Sequence, residues 1–356
     1  MTDKIDAKSY DMVIYYAILS KRESSNFSPM KENWKYKIFN PNMSTQHSYM
    51  TVLFNEYVNK ETGVVTNSIG IIGSLRKWYF GELSLEDFTE RTYYKALNLF
   101  AQTIGISTEE LYSFTLSMIE VGINCRLDVD VNVIKKDVYQ FRDSRYRPRL
   151  DEFSTYFKTK KKILSLKIYD KYQEIYDKCI PKRIKSHEEE EFVRMHQHKN
   201  NIRIEFSVRG GQDLINKNIF HLTKGTKITI GTTVEHFDTL YTFFWNEVQK
   251  IEILSIENLK EPQSDSSVEY KNYLLACQIR NIGINEFTRL AKKVKDRSFK
   301  KRLLQRISPY IDKTEAYDKK RFMQNIRCRL YCLIGKDRKI SKHKELVHEH
   351  PLSNKL

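Results

Sequence analysis

The chain has 356 residues, with 61 Lys plus Arg against 45 Asp plus Glu and a formal charge of +16. Hydrophobic residues make up 40%, enough to bury a core, so a wholly disordered chain is excluded. With only 12 Gly and 7 Pro, collagen-like and low-complexity classes are excluded as well, and no apolar run reaches the ~18 residues that span a bilayer.

The opening residues Met1-Thr-Asp-Lys-Ile-Asp-Ala-Lys8 are too acidic and polar for a signal peptide. Five scattered cysteines (Cys125, Cys179, Cys277, Cys328, Cys332) fit a reducing, cytoplasmic setting without a membrane. The length suggests two domains, since single cores stop growing near ~250–300 residues.

In chain order, Asp11–Leu19 reads as a buried strand, and Ser48–Asn55 and Val64–Ile72 as further strands. Leu83–Ile104 reads as a helix, capped by Ser84 with Asp87 three residues on, as in a capping box. Ser107–Glu110 opens a short helix, and Phe237–Lys250 is a helix with Phe244 and Trp245 on its apolar side. Lys260–Ser267 (KEPQSDSS) has linker composition. The expected organisation is therefore 1–260 as an α+β domain, 261–267 as linker, and 268–356 as a helical, basic region.

Charge follows that division. Val268–Leu356 holds 23 Lys plus Arg against 9 Asp plus Glu, whereas the other 267 residues hold 38 against 36. Such asymmetry points to a polyanion, because bound Lys and Arg release phosphate counterions. A solvated basic tail would carry the same charge.

Three segments carry the chemistry. Ser117–Asn124 (SMIEVGIN) sets Ile119, Val121 and Ile123 on one side and Glu120, Gly122 and Asn124 on the other. Ile163–Lys171 (ILSLKIYDK) sets Leu164, Leu166 and Ile168 against Ser165, Lys167 and Tyr169. Ile202–Arg209 (IRIEFSVR) sets Ile202, Ile204, Phe206 and Val208 against Arg203, Glu205, Ser207 and Arg209. An antiparallel sheet facing water on one side alternates in the same way. The residue choice adds information, since Glu is a poor strand former and yet stands mid-strand at 120 and 205. Carboxylates of this kind suit Mg²⁺ or Mn²⁺, which take one or two protein carboxylates together with water and phosphate. Tyr169 can attack a phosphodiester where a cation such as Lys171 stabilises the phenolate.

Other patterns are weaker. His196-Gln-His198 and His348-Glu-His350 lie in polar contexts, Cys328-x-x-x-Cys332 lacks a second ligand pair, and Gly210-Gly211 reads as a turn. Asp128 and Asp130 read as solvent-facing.

Four segments in order, Ile72-Gly-Ser-Leu-Arg-Lys-Trp-Tyr-Phe-Gly81, Ser117–Asn124, Leu166–Lys171 and Ile202–Arg209, resemble the phage and plasmid replication initiators of the filamentous-phage gene II/X type. The resemblance spans roughly Gly63 to Val248. It implies a divergent member of the HUH endonuclease group: an antiparallel sheet backed by helices, followed by a helical basic domain. It further implies rolling-circle initiation, in which one strand at an origin is nicked and rejoined through a 5′-phosphotyrosine. On this resemblance Tyr169 is the nucleophile, with Tyr172 and Tyr176 as rivals, and Glu120 and Glu205 are metal ligands. Lys171 or Arg203 stabilises charge. The group's paired-histidine strand is absent, so the metal rests on carboxylates. Candidate nucleic-acid contacts are Lys167 and Arg209 on the strands and Lys292, Lys293, Lys300, Lys301 and Arg302 beyond the linker. The implied partners are single-stranded or origin DNA and a host replication helicase. The alternative is a non-catalytic origin-recognition or regulatory protein that retains the fold.

Overall fold

A computed structural model describes residues 1–338 except 33, 44–47, 59–60, 144–145, 151–153, 160, 162, 176–199, 257, 292, 295, 297 and 312–318. Tyr176, Cys179, Lys292 and both His-x-His triplets therefore lie outside the described residues.

The alternating segments build one ten-stranded antiparallel sheet in the order β2-β3-β4-β5-β1-β6-β11-β10-β9-β8. Its central strands are β1 (Thr2–Ser9), β6 (Thr115–Arg126), β11 (Asn201–Arg209) and β10 (Leu164–Asp170). On one side run β2 (Phe27–Pro29), β3 (Lys35–Phe39), β4 (Tyr49–Val58) and β5 (Val65–Ser74). On the other lie β9 (Ser154–Lys158) and β8 (Arg147–Leu150). A separate pair joins β7 (Val138–Phe141) to β12 (Ile251–Ile253). The fold is α+β, as the strand patterning predicts.

The apolar side chains of β6, β10 and β11 share one face and are buried, with Ile119, Val121, Ile123, Leu166, Ile168, Ile202, Ile204 and Phe206 all fully enclosed. The helices Glu90–Ile104 and Phe237–Val248 cover this face. Phe206 sits with its ring centroid 5.7 Å from Phe141, 6.0 Å from Phe243 and 5.3 Å from Phe244. Trp78 is fully buried against Phe100, and its indole N–H donates to the Ile38 carbonyl at 3.0 Å. On the opposite face Arg203, Tyr169, Asn124 and Ser207 are buried, Lys37, Thr51, Ile72 and Asp6 are half-buried, and Lys8 and Arg209 are exposed.

Two segments depart from the sequence reading. Asp11–Leu19 is no strand but the helix Met12–Ser20, whose first N–H groups are capped by the Asp11 carboxylate at 2.8 and 3.3 Å. Only Ile14 and Ile18 of it are buried, while Tyr16 between them is exposed; a strand would set all three on one face, whereas a helix turns Tyr16 away. The helix expected from Leu83 begins at Glu90, capped by Thr89 and Thr92. Ser84 instead accepts from the Glu86 N–H in a local turn, which frees Asp87 for the site below. Beyond the linker, Ser267–Ile282, Ile284–Ala291 and Phe299–Ile307 pack on a small core of their own around Ala276, Ile279, Phe287 and Ile307. The last helix, Lys319–Arg338, instead returns to the main core through Phe322, Ile326, Leu330 and Leu333.

Phe206→Ala removes the ring at the centre of this packing. Urea unfolding of the variant is expected to show a loss of about 3–5 kcal/mol.

Candidate active site

Strand register assembles the site. β10 and β11 pair Tyr169 with Arg203 and Lys167 with Glu205. β11 and β6 pair Arg203 with Asn124, Glu205 with Gly122 and Ser207 with Glu120. Tyr169, Lys167, Arg203, Glu205, Arg209 and Glu120 therefore share the face opposite the core, because side chains two apart on a strand point the same way.

At its centre is the Arg203 guanidinium, fully withdrawn from water. Its Nε donates to Glu205 Oε1 at 2.6 Å, Nη1 to Asp87 Oδ1 at 3.1 Å, and Nη2 to Asp3 Oδ2 at 2.5 Å. Each carboxylate has further partners. The Ser74 hydroxyl donates to Asp3, with Arg76 Nε 3.7 Å away. Asp87 accepts from the Asn124 backbone N–H at 2.8 Å and from Arg329 Nη2 at 2.9 Å. The Tyr169 hydroxyl donates to Glu205 Oε1 at 2.9 Å. Gly122 makes room for this cluster: a Cβ there would stand 2.8 Å from the Ile204 carbonyl oxygen, 3.0 Å from Glu205 Cγ and 3.3 Å from Arg203 Nη2.

The charges hold one another. Burial would raise the Asp3 carboxyl, but Arg203 and then Arg76 outweigh it and keep the group well below the usual carboxylate range. Asp87 is lowered against the same burial by Arg203 and Arg329. Burial and the Glu205 carboxylate push the Tyr169 phenol well above its ordinary value, with Arg203 opposing. The ring is 3% exposed, enclosed among charged groups, with Lys167 Nζ 4.1 Å from its centroid and Lys171 Nζ 5.9 Å. Lys171 is fully buried; burial lowers its amine to about 8 while Glu174, 2.6 Å away, resists. Glu174 falls to about 2, burial being overcome by Lys171 and then Lys77. Tyr172 lies apart, packed beside Ile175 with Leu83 and Leu85.

Glu120 is partly open to water and has no hydrogen bond to protein. Burial, then Glu205, then Asp3 raise its carboxyl to about 7, against Lys4 and Arg209. One strand over, Asp6 pairs with Met118, and its Oδ1 is buried without a hydrogen-bond partner. Among the described residues no group of three or more His, Cys, Asp or Glu side chains forms a metal-binding set. The pair Glu120 and Glu205 nevertheless fits Mg²⁺ or Mn²⁺, which need only one or two carboxylates and would relieve their mutual repulsion.

The remaining candidates do not converge here. Lys293 and Lys301 are exposed on the helical region, and Arg302 pairs with Asp296. Lys300 donates to Gln140 Oε1 at 2.7 Å and docks over the Tyr139 ring. Cys328 and Cys332 are exposed on the last helix, and Asp128 binds Arg321 at 2.6 Å. Sequence reasoning missed Asp3, Asp87, Arg76 and Arg329. Of these only Asp87 had a local signal, which reads equally well as a helix cap.

Because the folded protein holds the Glu120 proton more tightly than the unfolded chain does, Glu120 favours folding at acid pH. That contribution is lost as pH rises from the ordinary carboxylate value to about 7. Glu120→Gln is expected to gain about 1–2 kcal/mol over wild type at pH 8 and nothing at pH 4, by urea unfolding; the carboxyl's partial exposure keeps the figure small. The chain gives no match to models of known protein families or to the sequences of curated proteins.

Proposed function

We propose that the protein nicks and rejoins one strand of DNA through a tyrosine, as a rolling-circle initiator with a divergent HUH-type sheet. One observation carries the reading: the Tyr169 hydroxyl donates to a Glu205 carboxylate that Arg203 fixes in place. A nucleophile, a base within hydrogen-bond reach and a third group orienting the base form the recurrent arrangement of covalent catalysis. In the step proposed, Tyr169 Oη bonds to the phosphorus of a phosphodiester, the bond from phosphorus to the 3′ oxygen breaks, and the phenol proton passes to Glu205. The 3′ oxygen leaves and is protonated to a hydroxyl, and the 5′ end stays on Tyr169 until a 3′-hydroxyl reverses the reaction. Arg203, Lys167 and Lys171 place positive charge around the phenolate as it forms.

A divalent ion held by Glu120 and Glu205 would polarise the phosphate. With the ring 3% exposed, neighbouring groups move aside before a phosphate reaches Oη. No helix among the described residues is long and apolar enough to cross a membrane. The setting that suits this chemistry is a bacterial cytoplasm, where a host helicase unwinds the displaced strand.

The burial of Tyr169 also favours a second reading, a DNA-binding protein in which the phenol only braces Glu205. The two separate when the protein is incubated with Mn²⁺ and labelled oligonucleotides tiling the DNA around its own gene, then run on a denaturing gel. A covalent adduct is expected, lost in Tyr169→Phe and in Glu205→Gln. Salt-sensitive binding with no adduct at any metal concentration would leave the non-catalytic reading.

A further inference from the structure

The open face of the sheet continues far beyond the Arg203 cluster. Register alone lines Lys37, Thr51, Ile72, Asp6, Met118 and Arg209 into one row across β3, β4, β5, β1, β6 and β11. Five strand spacings of about 4.8 Å make this row about 24 Å long. Lys4 and Lys8 flank it from β1, the latter exposed, and Lys167 and Lys158 extend the same face beyond β11. Asp6, Glu120 and Glu205 stand against these cations on the strands, while Asp3 and Asp87 are taken up by Arg203.

Edge lysines commonly discourage strand pairing between molecules. These lysines, however, stand on β1, β3, β9 and β10, all inside the sheet, where Lys is a poor strand residue. Three of them lie over tyrosine rings: Lys37 Nζ is 4.8 Å from the Tyr49 centroid, Lys158 Nζ 5.3 Å from Tyr156 and Lys167 Nζ 4.1 Å from Tyr169. Tyr49, at the far end, is 39% exposed. Between the cations the floor is apolar or small, with Leu53, Gly70 and Ile72 on it.

A row of cations for phosphates, with the exposed Tyr49 ring for a base, matches an unpaired strand better than a duplex, whose bases are already stacked. We propose that this open face, from Lys37 and Tyr49 through Lys8 and Lys4 to Arg209 and Lys167, is a binding track for single-stranded DNA leading to the Tyr169 cluster. The track deepens the nicking reading by placing the strand that enters the site, yet its binding needs no chemistry.

The test uses the full chain in EDTA and a fluorescent 30-nucleotide oligothymidylate, followed by anisotropy across a salt series. Lys8→Gln with Lys37→Gln is expected to weaken binding at least tenfold and to lower the log–log salt slope by about 1.4, since each single-strand phosphate contact contributes about 0.7. Lys8→Arg with Lys37→Arg should restore both. Tyr49→Ala should weaken oligothymidylate binding about 5-fold or more while leaving heparin binding unchanged, because heparin has no bases to stack. Wild-type affinity and slope in the double Gln variant would overturn the track. So would equal losses for heparin in Tyr49→Ala, or tighter binding of a 30-base-pair duplex than of the single strand. An absent adduct with an intact track overturns only the nicking reading, and an adduct formed by a protein whose double variant binds normally overturns only the track.

Discussion

The fold is organised around one desolvated cation. Removing a guanidinium from water costs several kcal/mol unless nearby negative charge and hydrogen bonds replace its hydration. Arg203 meets that demand in three directions, reaching Glu205 on its own strand, Asp3 on β1 and Asp87 in the segment before the helix Glu90–Ile104. Such a cluster is weak evidence for stability, because an apolar substitute of equal shape does as well. What it does is tie β1, β6, β11 and the stretch that carries Asp87 to one another through paired charges and hydrogen bonds. Gly122 belongs to the same constraint, since only a residue without a side chain leaves the space that Glu205 and Arg203 occupy.

That constraint sets the chemistry of Tyr169. A buried phenol beside a carboxylate keeps its proton, and here it donates a hydrogen bond to Glu205. Arg203 holds Glu205 by a hydrogen bond, and Glu120, on the same face, has a raised affinity for protons through burial and then the neighbouring Glu205 carboxylate. The site is thus electrostatically graded: fixed ion pairs on the covered side, and a loosely held carboxyl on the side open to water.

The strands were legible because their two faces differ: β10 and β11 alternate apolar and polar along their length, and β6 does so from Ile119 to Asn124. Glu120 and Glu205 stood out as residues that strands avoid. Short-range rules misread other places. A serine followed three residues later by an aspartate looks like a helix cap, but at Ser84 and Asp87 the carboxylate serves a guanidinium 116 residues away. Asp11–Leu19 has the β-branched and aromatic content of a strand, and its helical state follows from the Asp11 cap and from which two residues the core accepts. Asp3 and Arg329 carried no signal at all. Each is an ordinary charged residue whose role exists only through partners distant in the chain, and no local pattern encodes a contact between residues 200 apart.

The grip of Arg329 on Asp87, 242 positions earlier, has a consequence for the order of biosynthesis. While a ribosome is still making the second half, the phenol and its carboxylate neighbours exist, but the arginine that completes the ring around Asp87 has yet to emerge. A nascent chain therefore holds Tyr169 in an unfinished setting, and the cluster closes only on a polypeptide translated past Arg329. The residues of the cluster thus come from both ends of the chain, and its last member is among the last to be made.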